Sequence, residues 1–420
     1  MRASPSTATT IAAQALHANA GLRTWLALIA SLLMITSPAR AEPPHHPKHW
    51  AEAPLHTEFN ETVDRVPVEV VMIDGKVRSG DITITHFRPA GDGPFPVVVL
   101  QHGRAGARRT SPWRWRLLGQ SRYWVRRGFA VFVPTRLGYG ETGLWPDPER
   151  VGACADPSFA PMIRVLVKQT EATLAFAARQ PWADARRAIV VGQSQGGLTA
   201  VASAASQLSG IIAAVNFSGG TAGRRDRPLE PCAPDRMQER FRELGSAAKV
   251  PTLWLYSEND RLWGSTIPRN WHRAYTASGA PAEFHMLGPF GEDGHDFTAR
   301  GFRVWRPLVD QFIAKLGFEA PRTLGAPPAS GFAAVGDASK VPLVKETVRT
   351  DQYQNFLDSD LPRAFVISRT GNWAWASGGD ALDRALSRCS MTAKSLCSAY
   401  AVDDAVVWAP RGELQGPEQR

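Results

Sequence analysis

Four cysteines occur in the 420 residues, and no two of them form a C-x-x-C pair, which argues against a zinc ribbon or a dithiol redox site. Neither G-x-x-x-x-G-K-[ST] nor H-E-x-x-H is present, so phosphate-loop and zincin chemistry have no support. The formal charge is +9, yet no run of five Lys or Arg and no nucleic-acid-binding motif accompanies it. A diffuse positive excess of this kind bears on solubility and weak anion attraction, and no nucleic-acid partner is expected. No apolar stretch reaches the roughly 20 residues of a membrane span. With 44% hydrophobic and 21% charged residues, the composition is that of an ordinary globular protein.

The apolar run Trp25 to Ile35 follows a segment whose only charges are Arg2 and Arg23, and Ser37-Pro38-Ala39-Arg40-Ala41 comes after it. A positive start, a short apolar centre and an A-x-A end predict a signal peptide over 1–41, hence a periplasmic or secreted protein with no stable membrane insertion after cleavage. Cleavage removes three arginines and no acids, taking the formal charge from +9 to +6. An even number of cysteines in an exported chain predicts disulfides, and the spacing favours Cys389–Cys397 as a local bridge and Cys154–Cys232 as a long one.

Residues 42–64 open as EPPHHPKHW and read as a flexible lead-in whose histidines (His45, His46, His49) lack a rigid second shell for a metal. Two strand-like runs, Val66 to Ile73 and Asp81 to Phe87, flank an Asp-Gly turn and predict an antiparallel edge. From Pro96 the pattern becomes β-branched runs (PVVVL, FAVFVP, AIVVG, IIAAVNF, VPTLWLY, AEFHML) alternating with helical periodicity. That order predicts an α/β fold, a doubly wound and mostly parallel sheet, over residues 65–320. Residues 321–345 are rich in Ala, Pro, Gly and Ser and read as a linker. Residues 346–420 read as a small α+β unit holding the local cysteine pair.

Gly192-Gln193-Ser194-Gln195-Gly196 matches G-x-S-x-G directly between a buried-type strand and a helix of small residues. The glycines are needed because a serine presented on so sharp a strand-to-helix turn leaves no space for neighbouring side chains. Serine requires a base, and the base requires an orienting carboxylate. Asp260, in a loop after a strand, is the expected acid, with Glu258 as the alternative. His295, in a glycine-flanked loop before the last helix, is the expected base; His272 and His285 fall within a helix and a strand pattern and read as packing or surface residues. The backbone N–H groups of Gln195 and Arg104 are the expected oxyanion donors, Arg104 lying in the loop Gln101-His102-Gly103-Arg104. His102 itself reads as a loop hydrogen-bonder. Gly138-Tyr139-Gly140-Glu141-Thr142-Gly143 fits a dinucleotide string, but Trp145-Pro146-Asp147-Pro148 follows in place of a helix, so it reads as a loop bordering the pocket. Tyr139, Trp145 and Trp263 are the candidate pocket residues.

In order, QHGRAG, PTRLGYGETG, VVGQSQGG, LYSEND and GEDGH resemble the dienelactone hydrolase-like branch of the α/β hydrolases across residues 65–318. The resemblance implies nucleophile Ser194, acid Asp260, base His295, no metal or other cofactor, and a small-molecule or polymeric carboxylic ester as substrate. The enzyme that names the branch carries cysteine where this chain has Ser194, which favours a general ester hydrolase over dienelactone hydrolysis. A serine peptidase or amidase of the prolyl-oligopeptidase type shares this core, although no propeller-sized domain precedes it here. A non-catalytic binding protein on the same fold is the reading from another class. Trp373 and Trp375 suggest that the C-terminal unit contacts cell wall or polysaccharide.

Overall fold

A computed structural model describes residues 59–143, 145–319, 326–378, 381–393 and 396–410. The expected signal peptide, the three lead-in histidines and the last ten residues lie outside them. Among the described residues, no helix is long and apolar enough to cross a membrane.

Strands β1 (Thr62–Val71) and β2 (Val77–Phe87) form the expected antiparallel hairpin. β3 (Phe95–Gln101), β4 (Ala130–Thr135), β5 (Ala183–Gln193), β6 (Ile211–Phe217), β7 (Thr252–Ser257) and β8 (Ala282–Leu287) complete a sheet in the order β1-β2-β4-β3-β5-β6-β7-β8. β2 joins β4 antiparallel, and every later pairing is parallel. This is the α/β-hydrolase fold. The chain leaves β3 for a strand on one side and β5 for a strand on the other. The connections therefore diverge and leave a crevice at the carboxyl ends of β3 and β5, where ligands sit in open α/β sheets.

The β-branched runs are buried on both faces. Val98 and Leu100 of β3 face helices α1 (Leu118–Val125) and α6 (Phe302–Ala314) through Tyr123, Trp124, Trp305 and Phe312. Val97 and Val99 face α2 (Phe159–Ala177) and α3 (Gln195–Ala205) through Val165, Leu174, Ala200 and Ala204. All of α3 is buried, which its Gly- and Ala-rich sequence permits. Helices α4 (Pro234–Ala247) and α5 (Thr266–Thr276) flank the far end, where Phe241 packs on both Trp254 and Trp271.

A second, antiparallel sheet follows in the order β10-β9-β11-β12. It comprises β9 (Arg363–Ser368), β10 (Trp373–Ser377), β11 (Cys397–Val402) and β12 (Ala405–Val406), with α7 (Tyr353–Asp358) and α8 (Ala381–Thr392) against it. Arg126 of the first unit reaches Asp360 (3.4 Å) and Ser377 (3.2 Å), and Arg306 donates to the carbonyls of Ser359 (2.6 Å) and Leu357 (3.4 Å). Trp373 and Trp375 are half-buried against this second core.

Two expectations need correction. The segment read as a linker supplies Val341 and Val344 to the C-terminal core, and Ser330 N–H bonds the Val406 carbonyl at 2.9 Å. Its Ala-Pro-Gly-Ser composition hid two valines that a small core requires. The end of the lead-in is also structured. Thr62 starts β1, and Glu61 is buried against Arg114 (2.8 Å) and Arg116.

Cys154 is bonded to Cys232 and Cys389 to Cys397, the expected pairing. The first bridge spans 78 residues, from the loop before α2 to the loop before α4. Closing so long a loop restricts the unfolded chain by about 4 kcal/mol. Cys154→Ser with Cys232→Ser should lower unfolding free energy by about that amount in urea titrations, whereas Cys389→Ser with Cys397→Ser should cost less.

Candidate active site

The candidate nucleophile stands where β5 turns into α3. Ser194 has φ 57° and ψ −125°, a backbone that side-chain-bearing residues rarely adopt. Three backbone bonds hold it there: Ser194 N–H donates to the Phe217 carbonyl (2.8 Å), and the Leu198 and Gly220 N–H groups donate to the Ser194 carbonyl (3.1 Å each). A Cβ at Gly192 would lie 2.1 Å from the Gly196 oxygen, and one at Gly196 would lie 2.1 Å from the Gln101 oxygen. Gly197, outside the five-residue string, is equally confined, with its added Cβ 2.4 Å from Asn216 Oδ1.

Asp260 follows β7 and is fully buried. Its Oδ1 accepts from the backbone N–H groups of Leu262 (2.9 Å) and Trp263 (3.2 Å), and its Oδ2 lies 2.9 Å from His295 Nδ1. The alternative acid, Glu258, points to solvent. With Nδ1–H donating to the carboxylate, Nε2 is the imidazole nitrogen left for a substrate-side proton. His295 sits in the single turn Gly294–Asp296, and its backbone is pinned from both ends. Its N–H donates to Asp293 Oδ1 (3.0 Å), and its carbonyl accepts from Gln193 Nε2 (2.7 Å). Gln193 thus links the residue before Ser194 to His295, a role that nothing in the residue's type announces. His272 packs between Trp254 and Phe284.

The loop after β3 closes the other side. A Cβ on Gly103 would stand 3.4 Å from Ser194 Cβ, so this backbone runs directly past the serine. His102 donates from Nδ1 to the Gly103 carbonyl (2.7 Å) and accepts at Nε2 from Arg136 N–H (3.3 Å). One neutral tautomer satisfies both bonds. Burial, followed by the charge of Arg136, holds this imidazole well below its ordinary pKa. The ring stacks on Trp115 at 4.7 Å. As expected, His102 is a loop hydrogen-bonder.

Residues 82–307, more than half of the chain, match the model of the family described as Dienelactone hydrolase family. The chain belongs to the dienelactone hydrolase family. No curated protein matches it. An acetyl xylan esterase from Paenibacillus sp. R4 is similar in structure at 18% identity, with 61% of this chain and 89% of that chain covered and a TM-score of 0.41. For an esterase from Pyrococcus furiosus the values are 15%, 66%, 96% and 0.41. For an acylaminoacyl peptidase from Pyrococcus horikoshii they are 14%, 66%, 45% and 0.44.

In this dienelactone hydrolase family member, Ser194, His295, Gln195, Arg104 and Trp263 line one cleft of about 520 Å³. Trp263 alone of the three candidate pocket aromatics is there; its edge faces the His295 ring at 6.0 Å and its indole N–H bonds the Ser218 carbonyl. Tyr139 is buried behind the site, with its hydroxyl on Glu149 at 2.5 Å. Trp145 packs against the hairpin, its ring 2.3 Å from where a Gly80 Cβ would be. The Gly138–Gly143 loop does not line the cleft either, because it tucks behind the wall, with Gly140 against the Trp113 carbonyl. A strand end followed by aromatics signals proximity to a site but not which side of the wall a ring occupies. Among the lining residues missed are Trp115 and Leu117. Leu117 has φ 44° without being glycine, a backbone departure invisible in sequence. Arg104, Arg108, Arg225 and Asp296 also face the cleft; Arg104 is paired with Asp147 and lies 3.5 Å from Glu149, and Arg225 lies 3.8 Å from Asp293.

Gly196→Ala would drive a methyl group into the Gln101 carbonyl. We expect a loss of about 3 kcal/mol in chemical denaturation, and loss of Ser194 labelling by a fluorophosphonate probe even where the variant remains folded.

Proposed function

We propose that this chain is an exported serine hydrolase that cleaves carboxylic esters through Ser194, His295 and Asp260. The observation that carries the reading is the buried Asp260–His295 pair, 2.9 Å apart, opening on the same cleft as a serine held in left-handed backbone. His295 Nε2 takes the Ser194 proton as Oγ adds to the ester carbonyl. The tetrahedral oxyanion rests on the N–H groups of Gln195 and Arg104. Asp260 keeps Nδ1 protonated and balances the imidazolium, which then returns its proton to the departing alcohol. Water, deprotonated by His295, attacks the acyl-serine; the proton passes back to Ser194 Oγ, and the free acid leaves.

Membership in the family supports hydrolysis, and two disulfides together with the A-x-A signal support export. A polysaccharide contact through the half-buried Trp373 and Trp375 is a further part of the proposal, tested by comparing cell-wall pull-downs of the whole chain and of its Trp373→Ala, Trp375→Ala variant.

The principal test is turnover of p-nitrophenyl esters beside the matching anilides. The mature protein should hydrolyse the esters, Ser194→Ala should abolish turnover, and Asp260→Asn should lower kcat by about 10⁴-fold through loss of the correct tautomer. Preference for the anilides would move the reading to an amidase.

A further inference from the structure

One buried carboxylate lies directly behind the cleft and is not used by the chemistry above. Glu149 is 1% exposed, in the loop that follows β4. Its Oε1 accepts from Arg136 Nε (2.6 Å), and its Oε2 accepts from Tyr139 Oη (2.5 Å) and from Gln195 Nε2 (2.6 Å). Arg104 Nη1 lies 3.5 Å from Oε2 and bonds the Glu149 backbone carbonyl at 3.3 Å. Asp147, two residues earlier, pairs with the same Arg104 guanidinium and accepts from Glu149 N–H at 3.0 Å. The donors therefore come from the loops after β3 and β4 and from the first turn of α3. Two of them, Arg104 and Gln195, are the residues whose backbone N–H groups receive the oxyanion.

We propose that Glu149 is a positioning residue that sets the distance between the two oxyanion donors by holding Arg104 and Gln195 through their side chains. The inference rests on the esterase reading given above. The Gln195 amide is fixed at both ends, because its Oε1 accepts from Thr221 Oγ1 at 2.9 Å while its Nε2 donates to Glu149. Rotation of this side chain, and with it tilt of the N–H at the start of α3, is thereby restricted. Arg136 carries the restraint into the neighbouring loop, since its Nη1 donates to the His102 carbonyl at 2.8 Å. Donors aimed at an oxyanion lose effectiveness with small displacements, and a shift of about 1 Å can cost about 100-fold in rate. Because the oxyanion exists only after attack, the restraint stabilises the transition state and leaves substrate binding largely untouched.

The test uses two variants of the mature protein, each checked for a cooperative melt. Glu149→Gln keeps the shape but replaces one acceptor oxygen with an N–H₂, which faces either Arg136 Nε or the pair Tyr139 Oη and Gln195 Nε2. Gln195→Met keeps the backbone N–H and the volume and removes both side-chain tethers. For either folded variant, kcat for a p-nitrophenyl ester should fall about 10- to 100-fold with KM within about 2-fold, and phosphonylation of Ser194 by a fluorophosphonate should slow in parallel. Unchanged kcat in Gln195→Met, or a rise in KM without a fall in kcat, would overturn the inference even if Glu149→Gln does not fold. Wild-type protein that neither turns over esters nor reacts with the probe would instead sink the underlying esterase reading.

Discussion

Beneath Ser194, the start of α3 comes so close to the ends of β3, β5 and β6 that no side chain fits between them. A carbon atom at 192, 196 or 197 would meet a carbonyl or amide oxygen at 2.1 to 2.4 Å. The rest of the molecule follows from that close approach. It sets the serine at the sharp end of a parallel strand and drives its backbone into the left-handed region. It also fits small residues, Ala200 and Ala204, on the face of α3 that packs with the sheet valines, while Leu198 and Val201 pack elsewhere. The eight-stranded framework and its two flanking layers hold this contact closed against the strain it stores.

Much of this was legible in the sequence, for identifiable reasons. β-Branched runs separated by helical periodicity gave the sheet, because strands buried on both faces tolerate little else. Ser194, Asp260 and His295 were legible because each follows a strand in the order the fold imposes, and the structure brings Asp260 and His295 into hydrogen-bond contact beside the serine. Tyr139 and Trp145 were misplaced because the direction of a side chain from a loop is set by tertiary packing. The linker reading failed at Val341 and Val344, where two apolar residues in a bland segment are enough to cap a small core.

Gln193 and Glu149 belong to a different category. Neither is specified by a motif, Gln193 filling a free position of the G-x-S-x-G string, and each acts by what it touches: Gln193 on the His295 carbonyl, Glu149 on Gln195 and Arg136. Buried polar groups of this kind are costly to leave unpaired, so a densely bonded cluster resists partial rearrangement. Two of the site's carboxylates, Asp260 and Glu149, are buried to within 1% of full burial. Asp260 bonds the His295 ring on one side of the serine, and Glu149 joins the loops after β3 and β4 to the first turn of α3.

The Cys154–Cys232 bridge ties the segments that lead into α2 and α4, two helices on the same side of the sheet as α3. A chain that folds among oxidants closes this ring once; one that folds among reductants carries two thiols at the same place. The bridge is in that sense a chemical record of the compartment in which a given molecule matured, readable by counting its thiols after denaturation.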